Sequence, residues 1–197
     1  MGTALLSRFL LAADHWLRRA RLAWRATNQE VFLFVLALTF IGADLGLVLH
    51  AVLAEEEQTQ DLERRYHERN LACLARNVYY EARGEPMAGQ YAVAEVTMNR
   101  AASQRYPDTV CDVVYQRNWD PIRRRYVAAF SWTELGGLEE PGGEEWQRAW
   151  DVADAVYNRR HTPALRGALY FHATYVSPEW AKDKQRVARI GRHIFYR

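Results

Sequence analysis

The longest apolar stretch of the chain runs from Val31 to Ala54 and reads VFLFVLALTFIGADLGLVLHAVLA. A helix of this length, at about 1.5 Å per residue, can cross a hydrocarbon layer of about 30 Å. Its ionisable residues are Asp44 and His50, and an acid near the middle of a span is costly in lipid. The pattern predicts one transmembrane helix, which either tolerates Asp44 or uses it in a helix contact.

A second helical pattern precedes this span. Apolar residues recur at helical spacing on one face: Leu6, Phe9, Leu10, Ala13, Leu17, Ala20 and Trp24. Arginines occupy another face: Arg18, Arg21 and Arg25. Over residues 1–30 this predicts a basic amphipathic helix on a membrane surface, the alternative being a tail without a partner. Residues 55–69 carry acids and arginines at helical pairing distances, which predicts a charged helical stalk.

From residue 70 onward the pattern is that of a folded domain. Apolar residues recur on one helix face: Leu71, Leu74, Ala75 and Val78. We therefore predict a helix that packs one face inward and is ended by Gly84 and Pro86. Three more helices are predicted in chain order: residues 88–101, a segment opened by Pro107 and Asp108, and a segment marked by Trp146, Ala149, Trp150, Ala153 and Tyr157.

The remaining parts of the domain have a weaker pattern. Residues 117–143 lack a clear period and contain several Pro and Gly, which predicts a long loop region. Strands are predicted over residues 168–172 and 189–196, with a short helical segment over residues 178–184 between them. The expected fold class is α+β and mainly helical, with a small C-terminal β-hairpin and one preceding transmembrane helix.

The charges on the two sides of the span indicate its orientation. Before it lie Arg8, Arg18, Arg19, Arg21 and Arg25 against Asp14 and Glu30, and after it lie Glu55, Glu56 and Glu57. By the positive-inside rule the amino terminus is cytoplasmic, and the domain lies outside a single-pass inner-membrane anchor. The alternative is a long signal peptide cleaved after Val52-Leu53-Ala54, which also places the domain outside the cytoplasm.

The two cysteines, Cys73 and Cys111, both lie in the expected external part. An even pair outside the cytoplasm favours a disulfide, the alternative being two buried thiols. The bridge would tie the first predicted helix of the domain to the third. In the loop-entropy account it would stabilise the fold by roughly 4 kcal/mol.

The strongest candidate for a catalytic role is Glu81. It follows Tyr79 and Tyr80 at the end of an apolar helix, where burial would raise the pKa of its carboxyl and keep part of it protonated near neutral pH. A glycosidase acid needs that property. The alternatives are that Glu81 is a plain surface residue and that Arg83 and Glu85 form a structural ion pair.

Several separated motifs, in order, resemble the SleB/CwlJ-type cell wall hydrolase family. They are CLARNVYYEARGEPMAGQ over residues 73–90, AVAEVTMNR over 92–100, YPDTVC over 106–111, VVYQ over 113–116, FSW over 130–132, ALYFHA over 168–173, VSPEWA over 176–181 and IGRHIFY over 190–196. The resemblance covers residues 70–197 and does not reach the head or the span.

The resemblance implies a lysozyme-like catalytic domain that cuts the bond between N-acetylmuramic acid and N-acetylglucosamine in peptidoglycan. The family's proposed acid corresponds to Glu81. The family is often described as lytic transglycosylase-like, and such an enzyme works with one carboxylate. A hydrolytic muramidase needs a second carboxylate, for which Glu85, Glu95 and Asp120 are available. A membrane-anchored scaffold that binds peptidoglycan without cutting it is the remaining alternative.

Further site residues are expected around Glu81. The candidate substrate contacts are Tyr80, Trp132 as a stacking face, Ser131 as a partner of an acetamido group, and His172. The histidine bonds a sugar or Glu81, or it has a structural role.

The chain departs from the family in two places. Ala128-Ala129 stand where many members have a cysteine before Phe-Ser-Trp. The insert over residues 117–125 is basic and contains Arg123, Arg124 and Arg125 in a row. This run suits peptide carboxylates of the wall or anionic envelope polymers, or it is a solvated loop.

Other classes of function are disfavoured. A net charge of +2 argues against a nucleic-acid binder. The sequence has no Cys/His zinc pattern and no glycine-rich nucleotide loop, so no metal or cofactor is expected. The expected partners are peptidoglycan strands and the membrane, with other envelope proteins if the chain is a scaffold.

Overall fold

The computed structural model describes the backbone of residues 3–121 and 123–197, and the side chains of residues 16–26, 28–121 and 123–197. The chain divides into two compact units, Met1–Asp61 and Leu62–Arg197. Helix α1, Thr3–Ala82, supplies the first unit and the opening segment of the second.

The first unit is helical, and the apolar side chains of residues 31–54 are exposed along it. One helix among the described residues is long and apolar enough, by length and composition, to cross a membrane. The predicted helix over the apolar stretch is therefore confirmed. Of the predicted apolar face of the head, Leu17, Ala20 and Trp24 are exposed. The side chains of its other members lie outside the described residues: Leu6, Phe9, Leu10 and Ala13.

Among its described residues, the second unit contains three further helices, five short strands and two 3-10 turns. The helices are α2, Met87–Ala101; α3, Val110–Val114; and α4, Gly143–Tyr157. The strands are β1, Arg117–Asp120; β2, Arg125–Ala128; β3, Tyr170–Ala173; β4, Arg186–Ile190; and β5, His193–Tyr196. The 3-10 turns are Ser131–Glu134 and Glu179–Asp183. All four helices predicted for the domain are present, and the unit is mainly helical with small sheets.

The main core forms where the last turns of α1 meet α3, α4 and the 3-10 turn at Ser131. Leu74 and Val78 are fully buried in it, together with Val113 and Val152. Thr109 caps α3, its hydroxyl accepting a hydrogen bond from the backbone N–H of Asp112 at 3.0 Å. The apolar face predicted from spacing is therefore the face that packs.

The predicted disulfide is present. Cys73 on α1 and Cys111 on α3 are bonded, with their Cα atoms 5.2 Å apart. The bond joins the first and third helices of the domain, as the sequence predicted.

The predicted C-terminal hairpin of two strands is wrong. The sheet has three antiparallel strands in the order β3–β5–β4, because the segment predicted as one strand over residues 189–196 is broken by a turn. Gly191 makes the break with a φ of +57°, a left-handed conformation that favours glycine. A side chain at Gly191 would collide with the carboxylate of Glu85.

The loop predicted over residues 117–143 is also only partly correct. Strands β1 and β2 pair as an antiparallel hairpin within it, with Trp119 opposite Tyr126. Each strand is four residues long and largely exposed, so neither gives the apolar alternation that marks a half-buried strand.

Candidate functional site

Glu81 lies in the last turn of α1, seven residues after Leu74 and three after Val78, and so continues the inward face of the helix. Its side chain is half-buried. Burial raises the pKa of the carboxyl from 4.5 to about 7, and the nearby positive charge of Arg100 opposes the rise. Among the described residues, no side chain or backbone group forms a hydrogen bond with this carboxyl. Glu81 can therefore hold or release a proton near neutral pH.

Arg100 is the cation that faces Glu81. It closes α2 and is buried, and its Nε donates a hydrogen bond to the backbone oxygen of Leu169 at 2.8 Å. Its guanidinium lies 5.3 Å from the ring centre of Tyr106 and 5.0 Å from that of Phe130. Burial lowers the pKa of Arg100, but an arginine remains charged at physiological pH. A fixed positive charge therefore stands beside a carboxyl that changes charge.

Two phenols complete this cluster. Tyr106 and Tyr170 both interact with Arg100, and their hydroxyls interact with each other. Burial raises the pKa of Tyr106, so this hydroxyl stays neutral and can act as a hydrogen-bond donor or acceptor. The cluster brings together the end of α1, the end of α2, the loop before α3 and strand β3.

Tyr80 and Trp132, both predicted as substrate contacts, stack on each other with ring centres 4.6 Å apart. Trp132 Nε1 donates a hydrogen bond to Asn77 Oδ1 at 2.9 Å, and the Tyr80 hydroxyl donates to the backbone oxygen of Glu139 at 2.8 Å. The pair lines a cavity of about 250 Å³ that also includes the following side chains: Arg76, Tyr115, Thr133, Leu135, Leu138 and Glu140. Ser131 is exposed next to Trp132 at the start of the 3-10 turn.

His172 lies in a different part of the unit from this pair. Its Nδ1 contacts the backbone oxygen of Ala173 at 2.9 Å, which makes Nδ1 the donor and leaves Nε2 to accept from the hydroxyl of Tyr196 at 2.9 Å. Its ring stacks on Tyr196 and meets Trp180 edge-on, and Trp180 lies 5.7 Å from the ring centre of Tyr170. Tyr170, His172, Trp180 and Tyr196 form an aromatic shelf, which reaches the Glu81 cluster through Tyr170.

The other carboxylates considered as partners of Glu81 are engaged elsewhere. Glu85 is buried and accepts hydrogen bonds from the backbone N–H and Nε of Arg192 at 2.8 and 2.7 Å. Burial by itself raises the pKa of Glu85, but these two hydrogen bonds hold it below its ordinary value. Glu85 thus pairs with Arg192 and not with Arg83, whose guanidinium lies over the ring of Tyr79.

Glu95 and Asp120 are held in similar ways. Glu95 is buried and accepts hydrogen bonds from the backbone N–H groups of Ala164 and Leu165, and its carboxylate lies 2.8 Å from His161 Nε2. Asp120 accepts from the backbone N–H of Arg123 at 2.9 Å. Among the described residues, no group of three or more His, Cys, Asp or Glu side chains could hold a metal ion.

The sequence patterns missed Arg100, Tyr106 and Tyr170 as members of the site. One signal was available for Arg100, because it ends an Ala- and Val-rich helix that had to be buried, and a buried arginine requires partners. The two tyrosines reach Arg100 from a loop and from a strand, and the signal available for them was their place in the motifs YPDTVC and ALYFHA that resemble the family.

A family model described as Cell Wall Hydrolase matches residues 84–196, beginning three residues after Glu81. The spore cortex-lytic enzyme of Halalkalibacterium halodurans is 32% identical over 142 residues, which cover 72% of this chain and 39% of that relative. The spore cortex-lytic enzyme of Bacillus subtilis is 32% identical over 126 residues, covering 64% and 37%. The chain thus spans less than half the length of these relatives.

Two solved structures are similar to the chain. The catalytic domain of the Bacillus cereus SleB protein has a TM-score of 0.52 and 28% identity, covering 66% of this chain and 91% of that one. The catalytic domain of a germination-specific lytic transglycosylase, SleB from Bacillus anthracis, has a TM-score of 0.50 and 30% identity, covering 65% and 93%. The likeness covers nearly all of each of these catalytic domains.

Proposed function

The chain belongs to the cell wall hydrolase family, and on this premise we propose that it cuts the bond between N-acetylmuramic acid and N-acetylglucosamine in peptidoglycan, with Glu81 as the proton donor. The observation that carries the proposal is the state of the Glu81 carboxyl. It is half-buried, has no hydrogen-bond partner among the described residues, and has a pKa raised to about 7. A general acid works best when its pKa lies near the operating pH.

In the first step protonated Glu81 gives its proton to the glycosidic oxygen. The bond between this oxygen and the anomeric carbon breaks, and Glu81 becomes a carboxylate. Arg100 is the fixed cation that stabilises this negative charge as it forms. Tyr106 stays neutral because burial raises its pKa, and it keeps Arg100 oriented towards the site together with Tyr170.

We propose that the second step is a transglycosylation. The Glu81 carboxylate removes a proton from the 6-hydroxyl of the muramic acid residue, whose oxygen attacks the anomeric carbon and leaves a 1,6-anhydro end. This route needs one carboxylate. It is favoured here because Glu85, Glu95 and Asp120 are held by Arg192, His161 and Arg123 respectively.

Two aromatic surfaces are the proposed sugar contacts. The aromatic shelf adjoins the Glu81 cluster through Tyr170, and Trp180 on it is 37% exposed and so able to meet a sugar ring. The stacked Tyr80 and Trp132 line the cavity of about 250 Å³, with Ser131 exposed beside it. Aromatic rings with a polar edge suit the mixed apolar and hydroxylated faces of a glycan.

The rest of the chain is proposed to carry the enzyme at the outer side of the inner membrane. Residues 1–30 form the cytoplasmic head, residues 31–54 the span, residues 55–69 the stalk and residues 70–197 the catalytic domain. The exposed apolar helix and the charge asymmetry across it support this arrangement. Peptidoglycan and the membrane are then its partners.

The deciding experiment is digestion of purified peptidoglycan by the full chain in detergent, followed by mass spectrometry of the products. Glu81→Gln should fold and lose activity by roughly 10²–10⁴-fold, the usual range for general acid–base catalysis. Glu145→Gln, an exposed acid in the first turn of α4, is the matched control and should remain active.

The products separate the alternatives. Muropeptides with 1,6-anhydro ends support the transglycosylase, whereas exclusively reducing ends mean that a second group activates water and the chain is a hydrolytic muramidase. Binding of peptidoglycan without any new ends would make the chain a scaffold and would contradict the proposal.

A further inference from the structure

The β1–β2 hairpin exposes two large aromatic side chains on one face. Trp119 and Tyr126 are cross-strand partners whose rings meet edge to face at 5.4 Å. Their exposed fractions are 56% and 58%. Rings of this size are more often at least half-buried, so this pair is a surface with apolar area to cover.

An arginine shares this face. Arg117 lies two residues before Trp119 on β1, and alternate residues of a strand point to the same side. Its guanidinium donates a hydrogen bond to the backbone oxygen of Tyr126 at 3.2 Å and remains 58% exposed. The same Nη2 lies 3.6 Å from the carboxylate of Glu134, so among the described residues Nε and Nη1 are the donors of Arg117 that are available beside the two rings.

The surroundings of the pair are positively charged. Residues 117–134 contain four arginines and two acids: Arg117, Arg123, Arg124 and Arg125 against Asp120 and Glu134. Both acids are already paired, Asp120 with Arg123 and Glu134 with Arg117 and Arg125. The hairpin thus has a net positive charge and suits a negatively charged partner.

The base of the hairpin is fixed to the element that carries Trp132. The backbone N–H of Ala128 donates to Glu134 at 3.0 Å, and that of Ala129 donates to the backbone oxygen of Gln116 at 2.8 Å. Glu134 belongs to the same 3-10 turn as Trp132. A ligand on the hairpin would consequently be held by a surface that is already ordered, at a low entropic cost.

We propose that Trp119, Tyr126 and Arg117 form a second glycan-binding face, which holds a peptide-bearing peptidoglycan strand away from the bond that is cut. A sugar ring lies against Trp119 and Tyr126, and Arg117 binds a carboxylate of the attached peptide. The inference rests on peptidoglycan being the substrate, as proposed above. A peptidoglycan strand satisfies both features of the face, because it alternates sugar rings with peptides that carry carboxylates.

The test is binding of the full chain, in detergent and with Glu81→Gln to prevent cutting, to purified peptidoglycan at low temperature. Adding Trp119→Ala and Tyr126→Ala should weaken binding roughly tenfold or more, as expected for the loss of buried aromatic area. Tyr175→Ala is the matched control, since Tyr175 is 84% exposed and lies outside the hairpin. Its binding should be unchanged.

A second comparison isolates the arginine. Arg117→Gln should weaken binding to peptide-bearing strands. The difference in affinity between this variant and the parent should shrink as salt is added. On strands whose peptides have been removed by an amidase, Arg117→Gln should bind like the parent. Arg166→Gln, an exposed arginine elsewhere, is its control.

The outcomes separate this inference from the proposed function. If the parent binds peptidoglycan and the hairpin variants bind equally well, the second face is overturned while the proposed function stands. If the hairpin variants bind peptidoglycan like the parent but no longer adhere to vesicles containing phosphatidylglycerol, the face is a lipid contact instead. If the parent neither binds nor cuts peptidoglycan, the proposed function itself fails.

A folding defect is excluded by thermal denaturation followed by circular dichroism. The hairpin variants should melt at the temperature of the parent that carries Glu81→Gln, because Trp119 and Tyr126 are more than half exposed and lie outside the core. Weaker binding found only in variants that also melt at a lower temperature would overturn the inference.

Discussion

At the scale of single residues, the raised pKa on which the proposed role of Glu81 depends also lowers the stability of the fold. Burial raises its folded pKa from 4.5 to about 7, so the folded state binds the proton more tightly than the unfolded state does. Below pH 4.5 both states are protonated and there is no penalty. As the pH rises from 4.5 to 7 the unfolded state ionises first, and stability falls to a constant lower level above pH 7.

This linkage predicts that Glu81→Gln stabilises the protein at alkaline pH. A pKa difference of this size corresponds to roughly 3 kcal/mol, an order-of-magnitude value. The variant should melt at a higher temperature than the unaltered chain at pH 8 and at nearly the same temperature at pH 4, as followed by tryptophan fluorescence. Glu145→Gln should show no such pH-dependent gain. A gain that is equal at both pH values would mean that the carboxyl is not desolvated.

Arg100 controls how far this pKa rises, since its charge lowers the pKa of Glu81 against the effect of burial. Removing the charge in Arg100→Gln should move the alkaline limb of the pH profile of kcat/KM to higher pH. Arg100→Lys keeps the charge but loses the planar donor that binds Leu169, so its limb should stay closer to that of the unaltered chain. Coincident profiles for Arg100→Gln and Arg100→Lys would show that the charge of Arg100 does not lower the pKa of Glu81.

The residue scale also explains which parts of the site could be predicted. Glu81 was singled out as a candidate because its signal is local, an acid placed on the apolar face of a helix, and because the family resemblance implies the proton donor at that position. Arg100 and Tyr170 meet beside it only after α2 and β3 pack together, and no spacing along the chain encodes that contact. For His172 the sequence left open a bond to a sugar, a bond to Glu81 and a structural role, and its two ring nitrogens contact Ala173 and Tyr196.

At the scale of elements, the turn between β4 and β5 is tied to the junction of α1 and α2. Arg192 in that turn binds Glu85, four residues after Glu81, through two hydrogen bonds. Gly191 permits this approach, because its φ is +57° and a Cβ there would meet the Glu85 carboxylate. The tie places one end of the C-terminal sheet against the segment that carries the acid.

Gly191→Ala should therefore destabilise the second unit by roughly 2 kcal/mol or more, since an L-residue in the left-handed region and the clash with Glu85 both add cost. Thermal denaturation measures the loss. Gly136→Ala is the matched control, because a Cβ at Gly136 meets nothing within 4 Å among the described residues. Equal melting temperatures for the two variants would show that the turn is free to move away from Glu85.

The long helices were the most directly predicted elements, although the five-residue α3 and the four-residue β3 were also predicted. Helices α2 and α4 are 15 residues each and were recognised in different ways, α4 from the repeat of its apolar residues and α2 from its Ala- and Val-rich composition. The hairpin strands have four residues each, and residues 189–196 are split at one glycine, Gly191, which has a φ of +57° and lies against the carboxylate of Glu85, a residue far away in the sequence. Short strands and turns made by tertiary contact are the parts that local pattern does not specify.

At the scale of the whole molecule, the disulfide and the apolar helix lead to the same compartment. Cys73 and Cys111 are bonded, and a structural disulfide persists in oxidising surroundings outside the cytoplasm. Independently, the arginines before residue 31 and the acids after residue 54 favour an inside amino terminus. An enzyme that cuts the wall must also lie on that side of the membrane.

The topology predicts that a reporter enzyme active only in an oxidising compartment will work when it is fused after Arg197, while a reporter that folds only in the cytoplasm will not. Moving the arginines of the head to follow residue 54, in exchange for Glu55, Glu56 and Glu57, should reverse the two results, because the positive-inside rule acts on charges near the ends of the span.

The unaltered chain should sediment with membranes after extraction at high pH and keep its full mass. A soluble, shorter product would instead indicate cleavage after Ala54 and a released enzyme. Activity of the cytoplasmic reporter on the unaltered chain would contradict the topology itself, and with it the proposal that residues 70–197 meet the wall.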